Sequence, residues 1–74
     1  MYELKIEDNG EVLMQQFGAS VGTTRSAHRV RYKSEAHMPD DLRTKLAALK
    51  MVTPPDGYGD IGQRVDNNLF WIYD

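Results

Sequence analysis

Two histidines, His28 and His37, lie nine residues apart in a chain that has no cysteine. A metal ion needs several convergent ligands, and neither a thiolate nor a His-x-x-x-His pair is present to supply them. His28 reads as a strand histidine and His37 as an exposed residue ahead of a helix. No nucleophile motif stands beside either, so neither is assigned a general-base role. Gly57-Tyr58-Gly59-Asp60-Ile61-Gly62 matches G-x-G-x-x-G letter for letter. In a dinucleotide-binding fold those glycines let backbone approach a pyrophosphate at a helix N-terminus. Here the motif follows a helix and two prolines, and only twelve residues remain after it. It reads as a turn-rich connection whose Tyr58 is free to touch a partner.

Ser20, Thr23, Thr24 and Ser26 surround Val21-Gly22, but no lysine follows at Walker spacing and there is no Gly-x-Ser-x-Gly elbow. Asp40 and Asp41 suit the positive end of a helix dipole rather than a paired-carboxylate site. A catalytic pocket of roughly 300 Å3 or more is also hard to enclose in so short a chain. The expectation is a protein with no catalytic residues, no metal and no cofactor.

Charge placement is the most informative chemical feature. The net charge is −2, yet residues 12–34 carry Arg25, Arg29, Arg31 and Lys33 and no acid. Acids dominate on both sides: Glu3, Glu7, Asp8 and Glu11 before this segment, then Asp56, Asp60, Asp66 and Asp74 near the end. Basic residues at alternate strand positions make a linear positive stripe that suits an acidic surface, a small anionic ligand or a phosphate backbone. The bland counterpart is a solvated outer face paired with Glu3, Glu7 or Glu11 across strands.

These side chains need elements to hold them. Tyr2, Leu4 and Ile6 alternate with Glu3, Lys5 and Glu7, which predicts a half-buried strand. Asp8-Asn9-Gly10 follows, and Asn-Gly is a strong hairpin signal. Glu11 to Phe17 is the return strand. A two-residue turn would oppose Ile6 with Leu13 and Tyr2 with Phe17. A three-residue loop with Gly10 left-handed would oppose Ile6 with Val12 and Leu4 with Met14. The two registers send opposite side chains to the core, and the first is preferred because it buries Phe17. Residues 18–24 read as a loop, and a third strand runs from about Ser26 to Ser34. His28, Val30 and Tyr32 share one face of it, and Arg25, Ala27, Arg29, Arg31 and Lys33 the other.

Pro39 suits a first helical position, and Leu42, Leu46 and Leu49 make an apolar helical stripe. Asp41 and Lys45 are spaced to pair one turn apart. Pro54 and Pro55 stop the helix. Pro55-Asp56-Gly57 is a turn signal. Ile61 to Val65 is a short strand, and Asp66-Asn67-Asn68 turns the chain into Leu69-Phe70-Trp71-Ile72-Tyr73. That run is apolar on both faces, as expected for an interior strand covered on both sides or one whose second face meets another molecule. The sum is α+β: one compact domain, residues 1–74, with a mostly antiparallel sheet of four or five strands and one helix on one face, βββαβ or βββαββ.

Length and composition set the outer limits. At 74 residues, with 41% hydrophobic and 27% charged residues, the chain fits an ordinary soluble domain and excludes a doubly wound fold or a barrel. No apolar run is long enough to span a bilayer, and neither a signal peptide nor a disulfide framework is evident, which fits the cytoplasm. A core this small rarely supplies more than about 3–5 kcal/mol of net stability, so the chain needs efficient packing, self-association or a partner that covers part of its surface. One helix cannot cover both faces of the sheet, and the remaining apolar surface marks an interaction site. The function expected is therefore a non-enzymatic binding protein that occupies a protein surface or sequesters a small anionic ligand, as a monomer or a homo-oligomer. Compact cysteine-free chains of this length are common among phage-encoded inhibitors of host or defence components. Its contacts are expected at Arg25, Arg29, Arg31, Lys33, Tyr58 and Trp71, because Arg, Tyr and Trp dominate interface hot spots. The alternative is a nucleic-acid-binding module built on the basic strand 25–33.

Overall fold

The computed structural model describes residues 1–20 and 23–73, with side chains described for 1–17 and 29–73. The elements are β1 (Tyr2–Ile6), β2 (Val12–Ser20), β3 (Thr23–Tyr32), a 3-10 turn (Glu35–His37), α1 (Asp40–Leu49), β4 (Asp56–Tyr58), β5 (Gly62–Asp66) and β6 (Leu69–Ile72). All six strands form one antiparallel sheet in the order β3-β2-β1-β6-β5-β4. Two three-stranded meanders thus meet where β1 pairs with β6, so the first and last strands are neighbours at the sheet centre. The domain is α+β as the pattern predicts, with six strands rather than four or five. The extra strand is β4. Its Asp-Gly-Tyr composition reads as a turn, but Asp56, Gly57 and Tyr58 pair with Arg64, Gln63 and Gly62. The G-x-G-x-x-G segment is therefore a hairpin. Among the described residues no helix is long and apolar enough to cross a membrane.

The first hairpin takes the register that was not preferred. Ile6 faces Val12 and Leu4 faces Met14. A two-residue type I′ turn would require positive φ at Asn9, yet among the described residues only glycines have positive φ, Gly10 at +89°. Asn9 instead binds the start of β2: its Oδ1 accepts from the Glu11 amide at 3.0 Å and its Nδ2 donates to Glu11 Oε1 at 2.8 Å. The Glu7 amide donates to the Glu11 carbonyl at 2.8 Å, which closes a three-residue loop. Leu13, not Met14, is consequently left on the outer face.

The segment expected as a loop, 18–24, is largely strand. Gly18, Ala19 and Ser20 pair with Arg25, Thr24 and Thr23, whereas Val21 and Gly22 lie outside the described residues. The strict alternation expected from Arg25 to Lys33 also fails. Gln16 pairs with His28 but Phe17 pairs with Ser26, so the ladder shifts by one residue between Arg25 and Arg29. A bulge of this kind breaks a period-two pattern.

The core lies between the sheet and α1. Leu4, Val12, Met14, Phe70 and Ile72 point inward from three adjacent strands, and Leu42, Leu46 and Leu49 meet them from the helix, with Met38 buried alongside. Pro39 is the residue before the helix rather than its first, a boundary difference of one. Asp41 and Lys45 do not pair: Asp40 pairs with Arg43, and Lys45 Nζ donates to the Tyr73 carbonyl at 2.9 Å. Arg64 closes the other end of the helix. Its Nη1 donates to the carbonyls of Lys50 and Val52 at 3.1 and 2.8 Å and its Nη2 to that of Asn67 at 3.1 Å, while the guanidinium lies 5.4 Å from the Phe70 ring centroid. A cation here satisfies carbonyls left over where the helical ladder ends. At Gly62 the strands run so close that a Cβ would sit 2.0 Å from the Trp71 carbonyl oxygen.

Candidate functional site

Because α1 covers one face, the odd-numbered residues of β1, β2 and β6 face outward with no layer over them among the described residues. Two rows cross the strands. In one, Arg31, Leu13, Lys5 and Leu69 are successive neighbours. In the other, Arg29, Gln15, Glu3, Trp71 and Gln63 follow one another. Leu13, Leu69 and Trp71 are half-buried by their in-plane neighbours, whereas Lys5, Arg29 and Arg31 are exposed. Phe17, half-buried, continues β2 beyond the second row; its amide donates to the Met1 carbonyl at 2.8 Å.

The polar groups of this face are mostly held. Trp71 Nε1 donates to Glu3 Oε2 at 3.2 Å, which uses the indole donor and one carboxylate oxygen. Arg31 Nη1 lies 3.4 Å from Glu11 Oε1, one of the cross-strand pairs anticipated for a solvated face. The Gln15 amide, with its oxygen turned toward β3, accepts from Arg29 Nε at 2.8 Å and Nη2 at 3.2 Å. The partner of Arg29 is thus a neutral amide rather than a carboxylate. Lys33, exposed just past the end of β3, has no carboxylate partner among the described residues.

Two shallow grooves flank the apolar centre. One, of about 570 Å3, runs from Glu3, Lys5 and Leu69 to the Asp66-Asn67-Asn68 turn. The other, of about 370 Å3, lies between Trp71, Gln63 and Gly57. Both are open to solvent and suit side chains of a larger partner.

Of the residues singled out from sequence, Arg29, Arg31 and Trp71 share this face, and Lys33 adjoins it. The side chain of Arg25 lies outside the described residues, as does that of His28. Tyr58 is 49% exposed but stands on β4, at the far edge. Five strand spacings of about 4.8 Å put β4 roughly 24 Å from β3, so Tyr58 and the arginines are not brought together. Leu13, Phe17 and Leu69 belong to the face and were not singled out. Leu13 and Phe17 would have been found from the correct hairpin register. Another arrangement missed from sequence is Ser34 Oγ, 3.0 Å from His37 Nδ1 across the exposed 3-10 turn. The S-x-x-H spacing is its signal. Among the described residues no group of three or more His, Cys, Asp or Glu is placed to hold a metal ion.

In comparison with known proteins, the chain matches no family model, no curated protein and no solved structure. The class it can be given is therefore architectural: a small α+β domain with a single helix behind a six-stranded antiparallel sheet.

Proposed function

We propose that this protein is a non-enzymatic binding protein, and that the open face of its sheet is the surface that meets a protein partner. The observation that carries the reading is Trp71 at the centre of an unlayered face, with Leu13, Leu69 and Phe17 around it and Arg29 and Arg31 on its rim. Aromatic and aliphatic groups surrounded by arginine are the composition of an interface centre and its border. A half-buried tryptophan whose N–H is already satisfied adds apolar contact without leaving a donor stranded.

A protein surface fits this face better than a nucleic acid. Glu3 and Glu11 lie among the cations, Arg31 is paired, and the alternating stripe is interrupted by the bulge. A phosphate backbone needs a more continuous run of free cations. A second copy of the chain is one form the partner can take. The absence of cysteine suits work in a reducing compartment such as the cytoplasm. A blocking role, of the kind small phage-encoded inhibitors have, is the simplest mechanism for a chain whose most distinctive described feature is a contact surface.

The test is native mass spectrometry of the chain purified gently from cells, beside its Trp71→Ala and Arg29→Ala/Arg31→Ala variants. The expected result is a retained partner or a homo-oligomer in the parent and a bare, folded monomer in both variants. Retention that is unchanged in both variants would remove the face from the account.

A further inference from the structure

Both edge strands of the sheet pair on one side only, but β4 is three residues long and β3 is the long edge. It is ten residues long and pairs on one side only, with β2. The hydrogen-bond pattern shows which of its backbone groups are free. The Glu7 amide bonds to Glu11 and the Phe17 amide to Met1, and these pairs share the parity of Glu3 with Gln15 and Lys5 with Leu13. Antiparallel strands alternate hydrogen-bonded and non-bonded pairs, so the odd residues of β2 bond to β1 and its even residues bond to β3. Tyr32 and Val30, opposite Val12 and Met14, therefore turn their N–H and C=O groups inward. Arg29 and Arg31 turn theirs to the edge. No backbone or side-chain partner for these groups exists among the described residues.

The same two residues carry exposed cationic side chains on the open face, and Lys33 continues the spacing. Val30, between them, is half-buried and packs against the core from the other face. Neighbouring residues on adjacent strands point to the same side of a sheet. A strand added here would thus place two residues beside Arg29 and Arg31, and the one between them beside Val30. Carboxylates suit the first two positions, and an apolar side chain suits the middle one.

We propose that the β3 edge accepts an extended segment of a partner protein in which acidic and apolar residues alternate, added as a seventh strand. A second copy of β3 fits poorly, because pairing about Val30 would set arginines opposite arginines. A polyphosphate fits poorly as well, because it has no N–H to donate to the outward carbonyls of Arg29 and Arg31. The cations thus discourage self-pairing and leave an acidic strand as the favoured one. The inference rests on the reading of the chain as a binding protein; it shares Arg29 and Arg31 with the open face but uses the backbone edge of β3 rather than Trp71.

The experiment is an amide-resolved NMR titration of the 15N-labelled chain with a capped peptide of alternating Glu and Val. The expected result is movement and slowed exchange of the Arg29 and Arg31 amides. The same peptide N-methylated at each Glu keeps its charge but cannot form the edge bonds, and should bind at least about tenfold more weakly. Alternating Lys and Val should not bind, and Arg29→Glu/Arg31→Glu should reverse that preference. Unmoved Arg29 and Arg31 amides, equal binding of the N-methylated peptide, or a preference for single-stranded oligothymidine overturns the proposal. Trp71→Ala separates the two readings, since it should leave the peptide bound. A Trp71-dependent partner with no peptide binding overturns strand addition and leaves the open face standing.

Discussion

Met14 and Leu13 are adjacent on one strand and differ by one flip of the chain. Met14 is 5% exposed and packs under the helix, whereas Leu13 stays half-buried on a face that no other described residues layer over. The same contrast runs through Phe70 against Leu69 and Ile72 against Trp71. One face of the sheet is a finished core with Phe70, Leu4 and Ile72 wholly buried, and the other has comparable apolar content shielded only by neighbours in the plane. The physical cause is the single helix. Ten residues of α1 supply Leu42, Leu46 and Leu49 to one side, and among the described residues no second layer covers the other. Large apolar groups on such a face gain less from folding than those under the helix, and this is the ground for the proposed contact.

Substitutions can break this contrast in order of size. The largest effect is expected at Gly62, where a Cβ would meet the Trp71 carbonyl at 2.0 Å and force β5 and β6 apart. Gly62→Ala should fail to fold, read as loss of the near-ultraviolet signal of Trp71. A folded, soluble Gly62→Ala would mean that the strand pairing here is wrong. Next is Phe70→Ala, which empties the inner face at its largest buried side chain and should cost about 3–5 kcal/mol, comparable to the whole net stability of so small a domain. Urea denaturation measures it, and a loss well below that range would show that the inner face is not the tight one. Arg64→Met removes the donor to three carbonyls behind the helix and should cost roughly 1–3 kcal/mol. A midpoint equal to the parent's would show that water replaces Arg64 without loss. Gly10→Ala forces a side chain onto a residue at φ +89° and should cost about 1 kcal/mol with no change in the slope of the transition. No cost there would show that Gly10 does not hold the left-handed conformation.

Much of the fold is legible in the residue pattern because burial imposes a period. Leu4 and Ile6 announce a strand, and Leu42, Leu46 and Leu49 announce the helix that covers it. The two-faced run from Leu69 to Ile72 announces a strand, and β6 lies between β1 and β5, but α1 covers only the Phe70 and Ile72 face rather than both. What the pattern hides is set by the backbone rather than by burial. Hairpin register turns on the φ of Asn9 and on its hydrogen bonds to Glu11, which no periodicity encodes. Strand β4 is masked by Asp56 and Gly57, residues that favour turns and here pair at an edge where little is buried. The bulge opposite Gln16 and Phe17 breaks the stripe between Arg25 and Arg29 without leaving a mark in composition. For the candidate site, the arginines and Trp71 stand out by type, but Leu13 could be placed beside them only once the register was known.

The contrast between adjacent residues also supplies the most direct test of the claim that the open face is a contact surface. Leu13→Glu and Met14→Glu place the same charge one residue apart. Leu13 neighbours Lys5 and Arg31 across strands, so a carboxylate there should keep stability within about 0.5 kcal/mol of the parent. The measurement is thermal melting of each variant together with native mass spectrometry of the gently purified protein. The account predicts that Met14→Glu unfolds, while Leu13→Glu melts like the parent and loses the retained partner or the second copy. A Leu13→Glu variant that melts normally and still holds that partner would contradict it.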